Sequence, residues 1–167
     1  ANYLNKSLQS VLNQTYDNLE VIVIDNNSND NTVEVINKFK DPRIKYLKIS
    51  NYGIIASSRN MGIRASRGEL IAFLDSDDWW NKDKLKICIE YFNKEVDLVY
   101  HDLKIVSQKP SFFARRKIQT RQLRKPVLTD LLLEGNIIPN SSVVVRKEML
   151  EKIGLIDESK ELVASED

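Results

Sequence analysis

Two continuous apolar runs, each closed by an aspartate, limit most strongly how this chain folds. Val21-Ile22-Val23-Ile24 ends in Asp25, and Leu70-Ile71-Ala72-Phe73-Leu74 ends in Asp75. Runs of this kind, the first β-branched throughout, read as strands buried on both faces. Around them the apolar period switches to that of a helix. Leu4, Leu8, Val11 and Leu12 share one face; Val33, Ile36 and Phe39 mark a short helix that Pro42 ends; Leu85, Cys88, Ile89 and Phe92 form another stripe. Residues 56–65 also read as helix, while Ile44 to Ile49 and Val96 to Tyr100 read as further strands. Strands and helices in alternation imply βαβ units, hence an α/β fold with a mostly parallel central sheet flanked by helices. The opening helix has no strand before it, so a first strand is expected upstream of Ala1. The first Met is Met61, which fits a fragment truncated at both ends.

The 167 residues suit a single domain with a core that needs no staples. One Cys (Cys88) and one His (His101) exclude a disulfide framework and a Cys/His zinc site. No apolar run reaches the ~20 residues of a membrane span, and no signal peptide opens the chain. With 25 basic against 24 acidic residues, the charge of +1 makes no case for nucleic acid. The charge is unevenly placed, however. No acid lies in 103–129, a basic variable segment that holds Lys104, Lys109, Arg115, Arg116, Lys117, Arg121, Arg124 and Lys125 beside Phe112 and Phe113. A solvated loop is one reading. The other is peripheral association with an anionic membrane, phenyl rings at the headgroup level and cations drawn to lipid. Beyond it, residues 128–133 and 147–153 read as helices and Val143 to Val145 as a strand.

Five scattered glycines give no GxGxxG turn and no Walker loop, so a bound nucleotide's phosphates must be neutralised another way. Asp75, Asp77 and Asp78 repel one another by about 1 kcal/mol per pair at 4 Å even in water, and a hard divalent cation, Mg²⁺ or Mn²⁺, relieves that. They follow a strand, and ligands bind at the carboxyl ends of strands in open parallel sheets. The same acids could instead cap the next helix. An EF-hand fails, because Trp80 and Lys86 occupy its Gly and Glu positions. A phosphatase-type DxDx[TV] site, with Asp75 as nucleophile, fits poorly because Trp79 stands at the Thr/Val position. Asp25 and Asn26 close the other strand and could hold a base or ribose, or simply make a turn. Arg59 could reach a diphosphate, or be a surface arginine.

Together these pieces resemble the family 2 glycosyltransferases of GT-A fold. The matching stretches are YLNKSLQSVLNQTY (3–16), LEVIVIDNNSNDNT (19–32), NYGIIASSRNMGIRASRGELIAFLDSDD (51–78) and SVVVRKEMLEKIGLID (142–157), with Glu166-Asp167 at the end. The resemblance implies a nucleotide-sugar donor, with a UDP-sugar expected, and a glycan or lipid-linked acceptor at a cytoplasmic site. It implies that Asp77 binds the metal, that Asp75, Arg59, Asp25 and Asn26 face the donor, and that Asp167 is the general base of an inverting transfer. Asn26 stands where many members have a second Asp, and the family's opening strand is absent. The alternative is a metal-dependent phosphatase or a nucleotide-binding protein without transferase activity.

Overall fold

A computed structural model describes residues 3–106 and 117–162, with only the backbone of Leu162. Among the described residues, helices and strands follow the expected order. Helices α1 (Leu4–Leu12), α2 (Thr32–Lys38), α3 (Ile55–Ala65), α4 (Lys84–Glu90), α5 (Val127–Glu134) and α6 (Lys147–Lys152) alternate with strands β1 (Val21–Asp25), β2 (Ile44–Lys48), β3 (Leu70–Ala72), β4 (Leu98–Val99) and β7 (Val144–Arg146). Strands β5 (Leu103–Lys104) and β6 (Lys117–Ile118) pair antiparallel where no strand was expected.

The strands fall into separately hydrogen-bonded groups. β1 and β2 pair in parallel, Val21 opposite Ile44 and Asp25 opposite Lys48. β7 lies between β3 and β4 and runs antiparallel to both, so β3 and β4 point the same way. Among the described residues β1 and β3 each pair along one edge only. Val21 to Ile24 and Leu70 to Ala72 are half-buried rather than covered on both faces.

Strand β7 organises the core. Successive side chains of a strand point to opposite faces. Val144 faces Val11, Trp80, Leu85 and Cys88 of one cluster, while Val143 and Val145 face Ile63 and Leu150 of the other. Helices thus cover both faces, the layering expected when each must bury one apolar stripe. In α2 the buried set is Thr32, Val35 and Ile36, and Val33 faces outward. Cys88 is a free thiol inside the first cluster, where burial pushes its pKa up; it packs as a small apolar group.

Polar side chains tie the layers together. Gln14 donates to the Asn81 carbonyl at 2.7 Å and accepts from the Leu85 N–H at 2.9 Å, so α1 secures the start of α4. Asn60, 1% exposed, accepts from the Ile156 N–H at 3.0 Å and donates to the Ile156 carbonyl at 2.8 Å and to Glu158 at 2.7 Å. Ser57 donates to the other Glu158 oxygen at 2.6 Å. Leaving a buried polar group unpaired costs about 1–3 kcal/mol. Asn60→Ala orphans two at once, so urea unfolding should show a loss of about 3 kcal/mol.

Lys84 is the opposite case, a buried charge met by an aromatic ring rather than by a counter-charge. It is 6% exposed, its Nζ has no hydrogen-bond partner, and it lies 3.8 Å over the Trp80 ring. Burial drives its pKa down to about 8. Between about pH 8 and the unfolded value of 10.5 the unfolded chain binds the extra proton, so stability rises with pH across that window. Lys84→Met should therefore stabilise the protein by about 1–3 kcal/mol at pH 7, with the gain shrinking toward pH 10.5. Thermal melts at both pH values check the sign.

Candidate active site

Strand ends place the acidic residues. The backbone after β3 turns sharply, the Asp78 N–H donating to the Asp75 carbonyl at 3.1 Å. The 3-10 turn Asn140–Ser142, which leads into β7, fixes this loop from the side. The Asp75 N–H donates to Ser141 Oγ at 3.1 Å, and Asn140 Nδ2 donates to Asp75 Oδ1 at 3.0 Å. The Arg59 guanidinium, largely buried on α3, lies 3.9 Å from the same oxygen. Trp80 anchors the far side of the loop, its indole N–H donating to the Ser141 carbonyl at 2.8 Å and its backbone N–H to Ser10 Oγ at 3.0 Å. Asp77 is left exposed on this fixed turn.

At the end of β1, Asp25 is buried and fully used. Its Oδ1 accepts from the Ser28 N–H at 2.8 Å, and its Oδ2 accepts from the Tyr46 hydroxyl at 2.5 Å. Burial pulls the carboxyl's pKa upward, but the Ser28 and Tyr46 bonds and the Lys48 charge hold it below the ordinary value. Burial and the same carboxylate push the Tyr46 hydroxyl up to about 12. Asp25 therefore shapes the turn. Asn26 is exposed, and its Oδ1 already accepts from the Asn51 N–H at 3.0 Å, leaving one lone pair on that oxygen. Asn51 is itself buried, donating to Ser58 Oγ at 2.8 Å and accepting from the Gly53 N–H at 3.0 Å. That tight loop needs left-handed backbone, which Gly53 supplies at φ 87 and which Tyr52 adopts at φ 51.

The two strand ends meet. Val23, Ile24, Asp25 and Asn26 line one side of a cleft of about 370 Å³, and Ser76 and Asp77 line another. The structure thus gathers Asp25, Asn26 and Asp77 at one opening, while Arg59 of α3 and Asp75 of the acidic loop face each other outside the lining of that cleft. A second hollow, of about 380 Å³, lies around Asn60, Arg64 and Glu158 and holds none of the expected site residues. Asp167 lies outside the described residues, as do Phe112, Phe113, Arg115 and Arg116.

Nothing in the sequence pattern pointed to Tyr46, Asn51, Asn140 or Ser141 as supports of this site. The polar trio Asn140-Ser141-Ser142, set before a buried valine strand, was the available clue. Among the described residues no three His, Cys, Asp or Glu side chains converge on a metal-sized point. Asp75 is turned toward Asn140 and Arg59, so a divalent cation here would rest on Asp77 and on oxygens from a ligand. One carboxylate plus phosphates is a common way to hold Mg²⁺, and the donor set fits it.

Carboxylates held below their ordinary values also set the acid limit of the fold. Hydrogen bonds from Arg121 and Arg124 keep Asp130 at about 2, and those from Asn60 and Ser57 lower Glu158. Their stabilisation is complete above the unfolded values, 3.8 and 4.5, and is lost as pH falls through the folded ones. Burial also holds the His101 pKa below its ordinary 6.5, so urea midpoints should begin a shallow decline below about pH 6.5 and drop steeply between about 4 and 2.

Comparison with known proteins places this architecture. Crystal structures of Staphylococcus aureus TarS superpose with a TM-score of 0.74 for the form in complex with UDP, at 21% identity over 99% of this chain and 48% of that one. The fold is the GT-A fold. The family model of glycosyl transferase family 2 matches residues 1–154, and the chain belongs to that family. An uncharacterized glycosyltransferase of Nostoc is 33% identical over 167 residues, 96% of this chain and 52% of the relative. The Escherichia coli protein WfgD, a UDP-Glc:α-D-GlcNAc-diphosphoundecaprenol β-1,3-glucosyltransferase, is 36% identical over 87% of this chain and 60% of its own length. The chain thus spans about half the length of the curated relatives it matches.

Proposed function

We propose that the chain is the donor-binding part of an inverting glycosyltransferase. It would move a sugar from a UDP-sugar to a hydroxyl of a glycan or lipid-linked saccharide, in the cytoplasm and as a step in cell-envelope polysaccharide synthesis. The observation that carries this reading is the cleft that joins Asn26 and Asp77 across the ends of β1 and β3. The choice of nucleotide is supported by TarS, crystallised in complex with UDP, and by WfgD, named for a UDP-Glc donor.

Asn26 and the turn shaped by Asp25 receive the base and ribose. Asp77 holds Mg²⁺ or Mn²⁺, which neutralises the departing diphosphate when bound. Arg59, kept in place by Asp75, adds positive charge on the diphosphate side. Asp167 takes the proton from the acceptor hydroxyl as it attacks the opposite face of the sugar. No helix among the described residues is long and apolar enough to cross a membrane.

Calorimetry tests the donor site. UDP should bind measurably with Mn²⁺ and far more weakly in EDTA, and Asp77→Ala should remove the difference. Equal affinity in Mn²⁺ and EDTA would sink the proposal. A turnover assay separates the chemistry: sugar release at full rate without acceptor would point to a metal-dependent hydrolase instead.

A further inference from the structure

The first turns of α3 are fastened from three directions. Ser57 and Asn60, three residues apart and so on one face of the helix, donate to the Glu158 carboxylate at 2.6 Å and 2.7 Å. Ser58 accepts from Asn51 Nδ2 at 2.8 Å, and the Asn51 N–H donates to Asn26 at 3.0 Å. Arg59 stands among these fixed points. Its guanidinium, 12% exposed, lies 3.9 Å from Asp75. Successive residues of a helix are turned by about 100°, so these side chains leave the same turn in different directions, and holding two of them sets the third.

Glu158 gathers more of α3 than the fold requires. Arg64, a turn beyond Asn60, also approaches its carboxylate, at 3.7 Å. Ser57, Asn60 and Arg64 thus follow the i, i+3, i+7 spacing of one helix face and converge on a single side chain. Yet Asn60 keeps the Ile156 N–H and carbonyl as partners without Glu158, whose side chain is 40% exposed. The carboxylate therefore fixes the rotation of α3 more than it adds to the core. We propose that Glu158 is a positioning residue for Arg59: through Ser57 and Asn60 it holds the turn that aims the guanidinium at the diphosphate of a bound donor. This rests on the reading of Arg59 as a diphosphate contact. Misplacing a binding group by about 1 Å can cost about 100-fold, so the aim of Arg59 matters as much as its charge.

The test is a double-variant cycle on the full-length protein, read by UDP affinity in Mn²⁺ and by steady-state kinetics, with every variant assayed well below its melting temperature. Glu158→Ala should weaken UDP about tenfold and raise donor KM to match, while kcat falls by less than about threefold. In an Arg59→Ala background the same change should cost less than about twofold, because no guanidinium is left to aim. Glu158→Gln, able to accept from Asn60 and donate to Ser57, should bring UDP affinity back to within about threefold of wild type. A tenfold loss in both backgrounds overturns the proposal, since it would mark a general structural role. A Gln variant as weak as the Ala variant also overturns it, because the charge and not the clamp would then be what UDP feels. If Arg59→Ala weakens UDP and Glu158→Ala does not, the positioning role alone fails. If Arg59→Ala leaves UDP affinity unchanged, the reading of Arg59 as a donor contact fails and takes this proposal with it.

Discussion

Asp77→Ala in the complete enzyme should lower turnover by about 1,000-fold, the scale of losing the charge that steadies a leaving diphosphate. The residue is exposed on a turn whose support comes from Ser141, Asn140 and Trp80, so the variant should fold with an unchanged melting temperature. Steady-state rates at saturating Mn²⁺ give the answer. A variant within about tenfold of wild type removes Asp77 from the reaction. Asp75→Asn makes an informative companion, because its oxygen is already engaged by Asn140 and faces Arg59. Its effect should fall on donor KM more than on kcat.

Asp167→Asn should cost at least ~100-fold in turnover, since a positioned general base contributes about 10²–10⁴-fold. Donor binding should stay near that of wild type, because a base aimed at the acceptor hydroxyl does not hold UDP. Calorimetry and kinetics on one preparation separate the two effects. Wild-type turnover in the variant would strip Asp167 of the role. Loss of UDP affinity in parallel would recast it as a donor contact.

Most of the element order was legible because apolar period is a local signal. The β-branched run at Val21 to Ile24, the stripe at Leu85 and Cys88, and the helix at Leu4 to Leu12 all lie where the pattern put them. Strand depth was not legible, since it depends on what packs over each face of the sheet. Buried polar side chains were not legible either, for a different reason. Gln14 finds its partner 67 residues away, and Asn60 finds its own 96 and 98 residues away. No local period reports such a bond. Hydropathy was misleading at α5, where Asp130, paired with Arg121 and Arg124, is buried while Leu128, Leu132 and Leu133 are exposed. Within the site, the acidic loop and Asn26 were visible as strand-end residues, while Tyr46 and Asn140 stand on other elements and matter only through the oxygens they reach.

The cleft stands between two groups of strands, the β1–β2 pair and the β3–β7–β4 trio. Val21 packs with Leu70 and Ala72 of the other piece around one apolar cluster, and α3 packs against Ile24. The cleft takes one wall from each piece. A molecule spanning it touches both walls, and its binding energy is added to the stability of the site they form. Amide exchange along β1 and β2 should then slow on binding while exchange at the centre of β7 stays as it was, and the smaller piece becomes a gauge of occupancy.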